Sequence, residues 1–253
     1  HLGRNGAQEE ARPRHGRYAL GIHDFPLYTV REFYTNARAQ ILCKQTGKST
    51  TIDIPNGFPV FAQIGDFLIC ATVGNDLVAF QVMDQQGNLR FIEGNAGDGL
   101  ELKGFAGIWD QKVYSLFTRE DDGLQWLLCS VDLDENTLEW TEIPLNHDLV
   151  WYSAAAAIIS DGIVFAQHDG ERHQLYFTLL KWDGTHANFL SRIPNGYHQF
   201  LDPRDEKSIR AVLWDGVSDC ASLVTYTPAA ALGEQGRESS TPLMTCHSPK
   251  AQA

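Results

Sequence analysis

The stretch Phe105-Ala-Gly-Ile-Trp-Asp110, FAGIWD, is one member of a series: Phe61 to Asp66 reads FAQIGD and Ala156 to Asp161 reads AAIISD. In each, a small residue is followed two positions on by isoleucine and two further on by aspartate. With Ile22-x-Asp24 and Phe200-x-Asp202 the ending occurs five times, at steps of 42, 44, 51 and 41 residues. A period of this size predicts a solenoid or a propeller.

The residues after each aspartate narrow the choice. A first apolar run comes directly after it: FPLYTV, FLICATV, QKVYSLF, GIVFAQ and, after an insertion, IRAVLW. A turn-rich break and a second run come next: ARAQILC, LVAFQVM, QWLLCSV, QLYFTLL and ASLVTY. After another break the units end TIDIPNG, RFIEGN, WTEIPLN and FLSRIPNG, while the fifth shows no evident fourth run. Alternation and β-branched content predict four short strands per unit and no helix. The fold class is therefore all-β, a β-propeller of about five four-stranded blades, either closed by itself or part of a larger ring.

In that fold FAGIWD is the innermost strand of a blade. Ala62, Ala106 and Ala157 allow neighbouring inner strands to approach, and Ile64, Ile108 and Ile159 are expected to be buried. Asp66, Asp110 and Asp161 fall at the turn into the second strand, where a carboxylate can accept local backbone N–H groups. Recurrence in all five units favours this structural role over catalysis.

The segment Asp134-Glu-Asn-Thr137-Leu-Glu-Trp140 resembles the D-x-x-T-x-x-W signature at the third-to-fourth strand turn of kelch-type propeller blades. Asp84, Gly87 and Phe91, and again Asp183, Thr185 and Phe189, echo it, whereas the diglycine that kelch blades carry after the second strand is absent. The resemblance implies a propeller over residues 18–227, with WD40 and sialidase-like blades as alternative cousins. Residues 1–17 are polar and charged, and 228–253 are rich in Ala, Gly, Ser, Pro and Gln, so both read as tails. Either Pro242 to Cys246 supplies the missing strand, or the chain is part of a longer propeller.

Composition bounds the function. A chain of 253 residues with 43% apolar and 11% aromatic content can build a large core. A net charge of −12 argues against nucleic acid or an anionic membrane as partner. The longest strongly apolar stretch, Leu149 to Ile159, is too short for a membrane-spanning helix. The five cysteines, Cys43, Cys70, Cys129, Cys220 and Cys246, have no metal-ligand spacing and read as reduced core residues. With no N-x-Ser/Thr sequon in the chain, the expectation is a cytoplasmic or nuclear protein.

No nucleophile elbow, phosphate loop, dinucleotide fingerprint or zinc-protease motif is found, and neither a metal nor another cofactor is expected. His168 to His173 brings two imidazoles to one turn but reads as an exposed hairpin. One enzymatic alternative exists: five-bladed propellers include glycoside hydrolases with inner-strand carboxylates, and Asp24 and Asp202 are similar in position to these. The favoured reading is a non-catalytic module that binds a protein or peptide, with a glycan as the alternative ligand. Loops between blades and between second and third strands share one face. There the sequence places Arg31, Tyr34, Arg119, Asp121, Trp151, Tyr152, His168, Arg172, Tyr197, His198 and Trp214, because aromatics and arginines anchor binding surfaces. The opposite turns, with Lys48 and Gln86, are expected to be inert.

Overall fold

The computed structural model describes residues 21–33, 37–54, 58–74, 77–95, 97–120, 124–145, 155–169, 174–190, 197–205, 208–215, 220–227 and 237–242. Among these the chain is all-β. Sheet one contains β1 (Ile22–Asp24), β2 (Tyr28–Phe33), β3 (Arg38–Cys43) and β4 (Ser49–Asp53). Sheet two contains β5 (Phe58–Ile64), β6 (Phe67–Val73), β7 (Leu77–Met83) and β8 (Leu89–Asn95). Sheet three follows with β9 (Leu100–Trp109), β10 (Lys112–Glu120), β11 (Leu124–Asp132) and β12 (Thr137–Glu142). Sheet four holds β13 (Ala155–Ile159), β14 (Gly162–Asp169), β15 (Gln174–Lys181) and β16 (His186–Leu190). Sheet five holds β17 (Tyr197–Asp205), β18 (Ser208–Asp215), β19 (Cys220–Thr227) and β20 (Arg237–Pro242). In each sheet the strands are bonded in chain order, the meander expected when short turns join antiparallel neighbours.

The chain divides into two compact units, one of residues 1–100 with 131–139 and the other of 101–130 with 140–253. In the first, one face of sheet one, carrying Tyr28, Val30, Ile41 and Ile52, packs on Phe61, Leu68, Cys70 and Met83 of sheet two. Strand β3 alternates exposed and buried at every residue, so Arg38, Gln40 and Leu42 meet solvent. Strand β6 of sheet two is instead buried through its five central residues, as a strand covered on both faces must be. Polar cross-links align the two sheets: the Leu27 amide donates to Gln63 Oε1 at 2.8 Å, Tyr28 Oη to the Asp66 carbonyl at 2.6 Å, and Gln81 Nε2 to the Asp53 carbonyl at 2.6 Å.

In the second unit, Ala106, Leu116, Trp126, Leu128, Ile143 and Leu145 of sheet three and its exit segment pack on Ile158, Ile163 and Phe165 of sheet four. Here the small residues of FAGIWD act as expected. A Cβ added to Gly107 would lie 3.2 Å from Ile158 Cδ1, so a larger residue would push β9 away from β13. Ala106 and Ala157 are buried for the same reason.

The repeat is also corrected in places. Asp66, Asp110 and Asp161 do occupy the first-to-second turns of successive sheets, but of the three isoleucines only Ile159 is buried, while Ile64 and Ile108 are half-buried. Asp202 lies inside β17, paired with Arg210, because irregularities at Phe200/Asp202 and Pro203/Asp205 lengthen that strand to Asp205, which stands opposite Ser208. The fourth strand of sheet five is Arg237–Pro242, bonded to β19, and so shares only Pro242 with the segment Pro242 to Cys246. Cys43, Cys70 and Cys129 are buried free thiols. Burial pushes the pKa values of Cys70 and Cys129 up to about 12.

Candidate functional site

The turn carboxylates that accept backbone N–H groups belong to the third-to-fourth turns. Asp84 Oδ1 accepts from the Asn88 amide at 2.8 Å, Asp132 Oδ1 from the amides of Asp134 and Glu135 at 2.9 and 3.0 Å, and Asp183 Oδ1 from the Thr185 amide at 2.9 Å. Asp132, rather than the kelch-like Asp134, therefore caps its turn. The bonds to Thr185, from side chain and backbone, hold Asp183 below the usual carboxylate range. Its turn is closed by Gly184, whose φ is +83°, and by the Lys181 amide donating to the Thr185 carbonyl at 2.8 Å.

That turn carries Trp182. Its indole Nε1 donates to the Ser160 carbonyl at 2.8 Å, which fixes the ring against the first-to-second turn of the same sheet. Trp109, the tryptophan of FAGIWD, stacks on it with ring centroids 5.5 Å apart and planes 12° from parallel. Tyr114 meets Trp182 from β10, also at 5.5 Å, with a tilt of 48°. Both tryptophans remain open to solvent, at 41% and 38% exposure. Offset stacking of this kind adds about 0.5–1.5 kcal/mol beyond area burial and holds the rings rigid.

Beside the stack lies a cavity of about 540 Å³ between sheets three and four. Its lining combines the aromatic Tyr114 and Trp182, the aliphatic Leu128, Ile163 and Leu180, and the polar Thr141, Glu142, Lys181 and His186. Aromatic and aliphatic side chains with a few polar groups are the usual make-up of a ligand pocket.

Arg31 is exposed on β2 and Arg119 half-buried near the end of β10. The backbone sets Tyr197 opposite Trp214 and His198 opposite Leu213 in sheet five, and His168 opposite Leu175 in sheet four; their side chains lie outside the described residues. Tyr34, Asp121, Trp151, Tyr152, Arg172 and the second histidine of the His168–His173 turn fall outside them entirely. Among the described residues no group of three or more His, Cys, Asp or Glu could hold a metal ion. Asp24 accepts a hydrogen bond from Thr29 Oγ1 at 2.9 Å and pairs with Lys44 Nζ at 2.7 Å. The bond to Lys44, with that to Thr29, lowers its pKa and favours the ionised form.

Sequence reasoning passed over Trp109 and Trp182, which lie on the side of their sheets to which it gave no role. The signal was present: Gly65 and Ser160 stand in two of the other four repeats where Trp109 stands here, with His23 and Leu201 in the remaining two. A bulky aromatic where two other repeats carry Gly and Ser is an unusual choice for a turn.

No protein-family model and no curated protein sequence matches the chain. Solved structures are similar in fold. Prolyl oligopeptidase B from Galerina marginata matches with a TM-score of 0.54 at 10% identity, over 85% of this chain and 33% of that one. TolB from Acinetobacter baumannii matches with a TM-score of 0.50 at 16% identity, over 87% and 53%. The WD40 domain of SCAP from fission yeast matches with a TM-score of 0.48 at 10% identity, over 89% and 63%. The chain thus spans between a third and about three fifths of these solved chains. The likeness supports a β-propeller type of fold, built from four-stranded antiparallel sheets.

Proposed function

We propose that the chain is a non-catalytic propeller module that recognises a protein or peptide through the aromatic turn surface of its second unit. One observation carries the reading: Trp109 and Trp182 are held rigid by stacking and by the Ser160 bond, yet stay exposed. A surface tryptophan costs solvation unless something covers it, and tryptophan is among the residues in which interface energy concentrates. The adjoining cavity falls within the roughly 300–1,000 Å³ range of ligand pockets. The alternative hydrolase reading finds no general acid in Asp24, because a carboxylate paired with Lys44 is a poor proton donor.

Selection from a random peptide display library on the immobilised chain tests the reading. Enriched clones should lose capture by roughly 2 kcal/mol on Trp182→Ala, a typical hot-spot cost, and keep it on Phe91→Ala, an exposed aromatic of the first unit. Enrichment that both variants retain would overturn it.

A further inference from the structure

We infer that Gln111 is a specificity-determining contact of the aromatic turn surface, where its side-chain amide hydrogen-bonds the backbone of a bound peptide beside Trp109. The inference rests on the peptide-binding reading above and names a residue that reads the peptide.

Backbone conformation singles Gln111 out. Asp110 and Gln111 are the two residues between β9 and β10, and both have positive φ, +47° and +59°. A two-residue hairpin turn with both central residues left-handed is built most easily from Asn-Gly or Asp-Gly. Asp110 obeys that preference and Gln111 breaks it, because a Cβ is crowded in the left-handed region and glycine has none. Elsewhere the chain uses the expected types: Gly65, Gly87 and Gly184 carry the positive φ of their turns, and Asn136 that of the turn before β12. Ala37, with φ +47°, is the other exception among the described residues. Its carbonyl accepts the Ile54 amide at 2.6 Å, so its backbone serves the first sheet.

The Gln111 side chain serves no such internal purpose. It is exposed, and among the described residues it makes no hydrogen bond. Gln111 stands two residues from Trp109, which is exposed and stacked on Trp182, and three from Tyr114, which tilts against the same ring. A strained residue whose side chain does nothing within the fold, placed beside an exposed aromatic surface, points to a contact outside the fold. Its amide carries both a donor and an acceptor, the complement of the C=O and N–H that each peptide unit of an extended ligand presents. Apolar contact with the tryptophans is non-directional, whereas a hydrogen bond is directional, so Gln111 would set which residue of the ligand lies over Trp109.

Opposite signs in two measurements test the inference. Gln111→Gly should raise the folding equilibrium constant about threefold in chemical denaturation, because strain is relieved. The same variant should weaken binding of a display-selected peptide about fivefold in a titration followed by anisotropy, the worth of one hydrogen bond. A merely structural role would move stability and binding together. Versions of that peptide with one amide at a time replaced by an ester should include one whose loss of affinity is seen with the wild-type chain and vanishes with Gln111→Gly. The inference is overturned if Gln111→Gly is not stabilised, if it binds as the wild type does, or if every ester loses equally with both chains. Where Trp182→Ala still removes binding, those outcomes leave the peptide-binding reading standing. Absence of any enriched peptide, or binding unaffected by both Trp182→Ala and Gln111→Gly, would sink that reading and this inference together.

Discussion

The third-to-fourth turns after β7 and after β15 use the same local device to different ends. In both, an aspartate accepts the amide of a residue two or four places on, Asn88 to Asp84 and Thr185 to Asp183, and a glycine with positive φ closes the turn. In the first unit the turn is then consumed by its neighbour. Lys48 Nζ donates to the Gln86 carbonyl, and Thr46 Oγ1 to the Gln85 carbonyl at 3.2 Å, so turns of two adjacent sheets are tied together. In the second unit the same kind of turn holds an exposed tryptophan stacked on another. Repetition fixes the scaffold, and departure from it marks where chemistry has been grafted.

Four measurements bear on this contrast. The largest effect is expected at the base of the aromatic turn. Gly162 has φ +157°, and a Cβ there would lie 2.0 Å from the Leu180 carbonyl oxygen, a backbone atom that cannot step aside. Gly162→Ala should cost about 3 kcal/mol or more in chemical denaturation. A loss below about 1 kcal/mol would mean that β14 and β15 are not packed as described.

Next comes the tie in the first unit. Lys48→Ala should lower stability by about 0.5–1 kcal/mol, the worth of an exposed charge-assisted bond, with no effect on peptide capture. Weaker capture in that variant would show that both kinds of turn bind.

The smallest effect is a pH dependence. Burial raises the pKa of Asp84, but bonds from the Asn88 side chain and from the Asn88, Gln86 and Gly87 amides outweigh it, so the folded value lies below the ordinary one. Asp84 therefore adds stability above the unfolded carboxylate pKa of about 4, and loses it as pH falls through the lower folded value. Asp84→Asn should flatten that acid limb, measured as denaturation midpoint against pH. An unchanged slope would deny the turn its capping role.

Much of the fold could be read from the sequence because burial imposes period. β7 coincides with the run LVAFQVM, and β6 with FLICATV, since strands covered on both faces are largely apolar along their length. β20 was misplaced because Arg237–Pro242 reads RESSTP, with no apolar residue but the terminal proline to mark it. An outermost strand needs backbone partners more than a buried face, so its sequence is nearly unconstrained. Asp202 misled for a related reason: its strand is irregular, and spacing alone cannot reveal an inserted residue. The aromatic turn was missed because tryptophan is ordinarily taken for core. Only its place within FAGIWD, where the equivalent residues are His23, Gly65, Ser160 and Leu201 and none is a tryptophan, distinguishes Trp109.

If a peptide covers the Trp109–Trp182 surface, hydrogen–deuterium exchange with and without a display-selected ligand reports it at the backbone itself. Added protection is expected in the segments 109–114 and 180–186, and none at 84–88. Protection confined to 84–88, or to the strand ends bearing Arg31 and Trp214, would contradict the assignment of the binding surface to the aromatic turn.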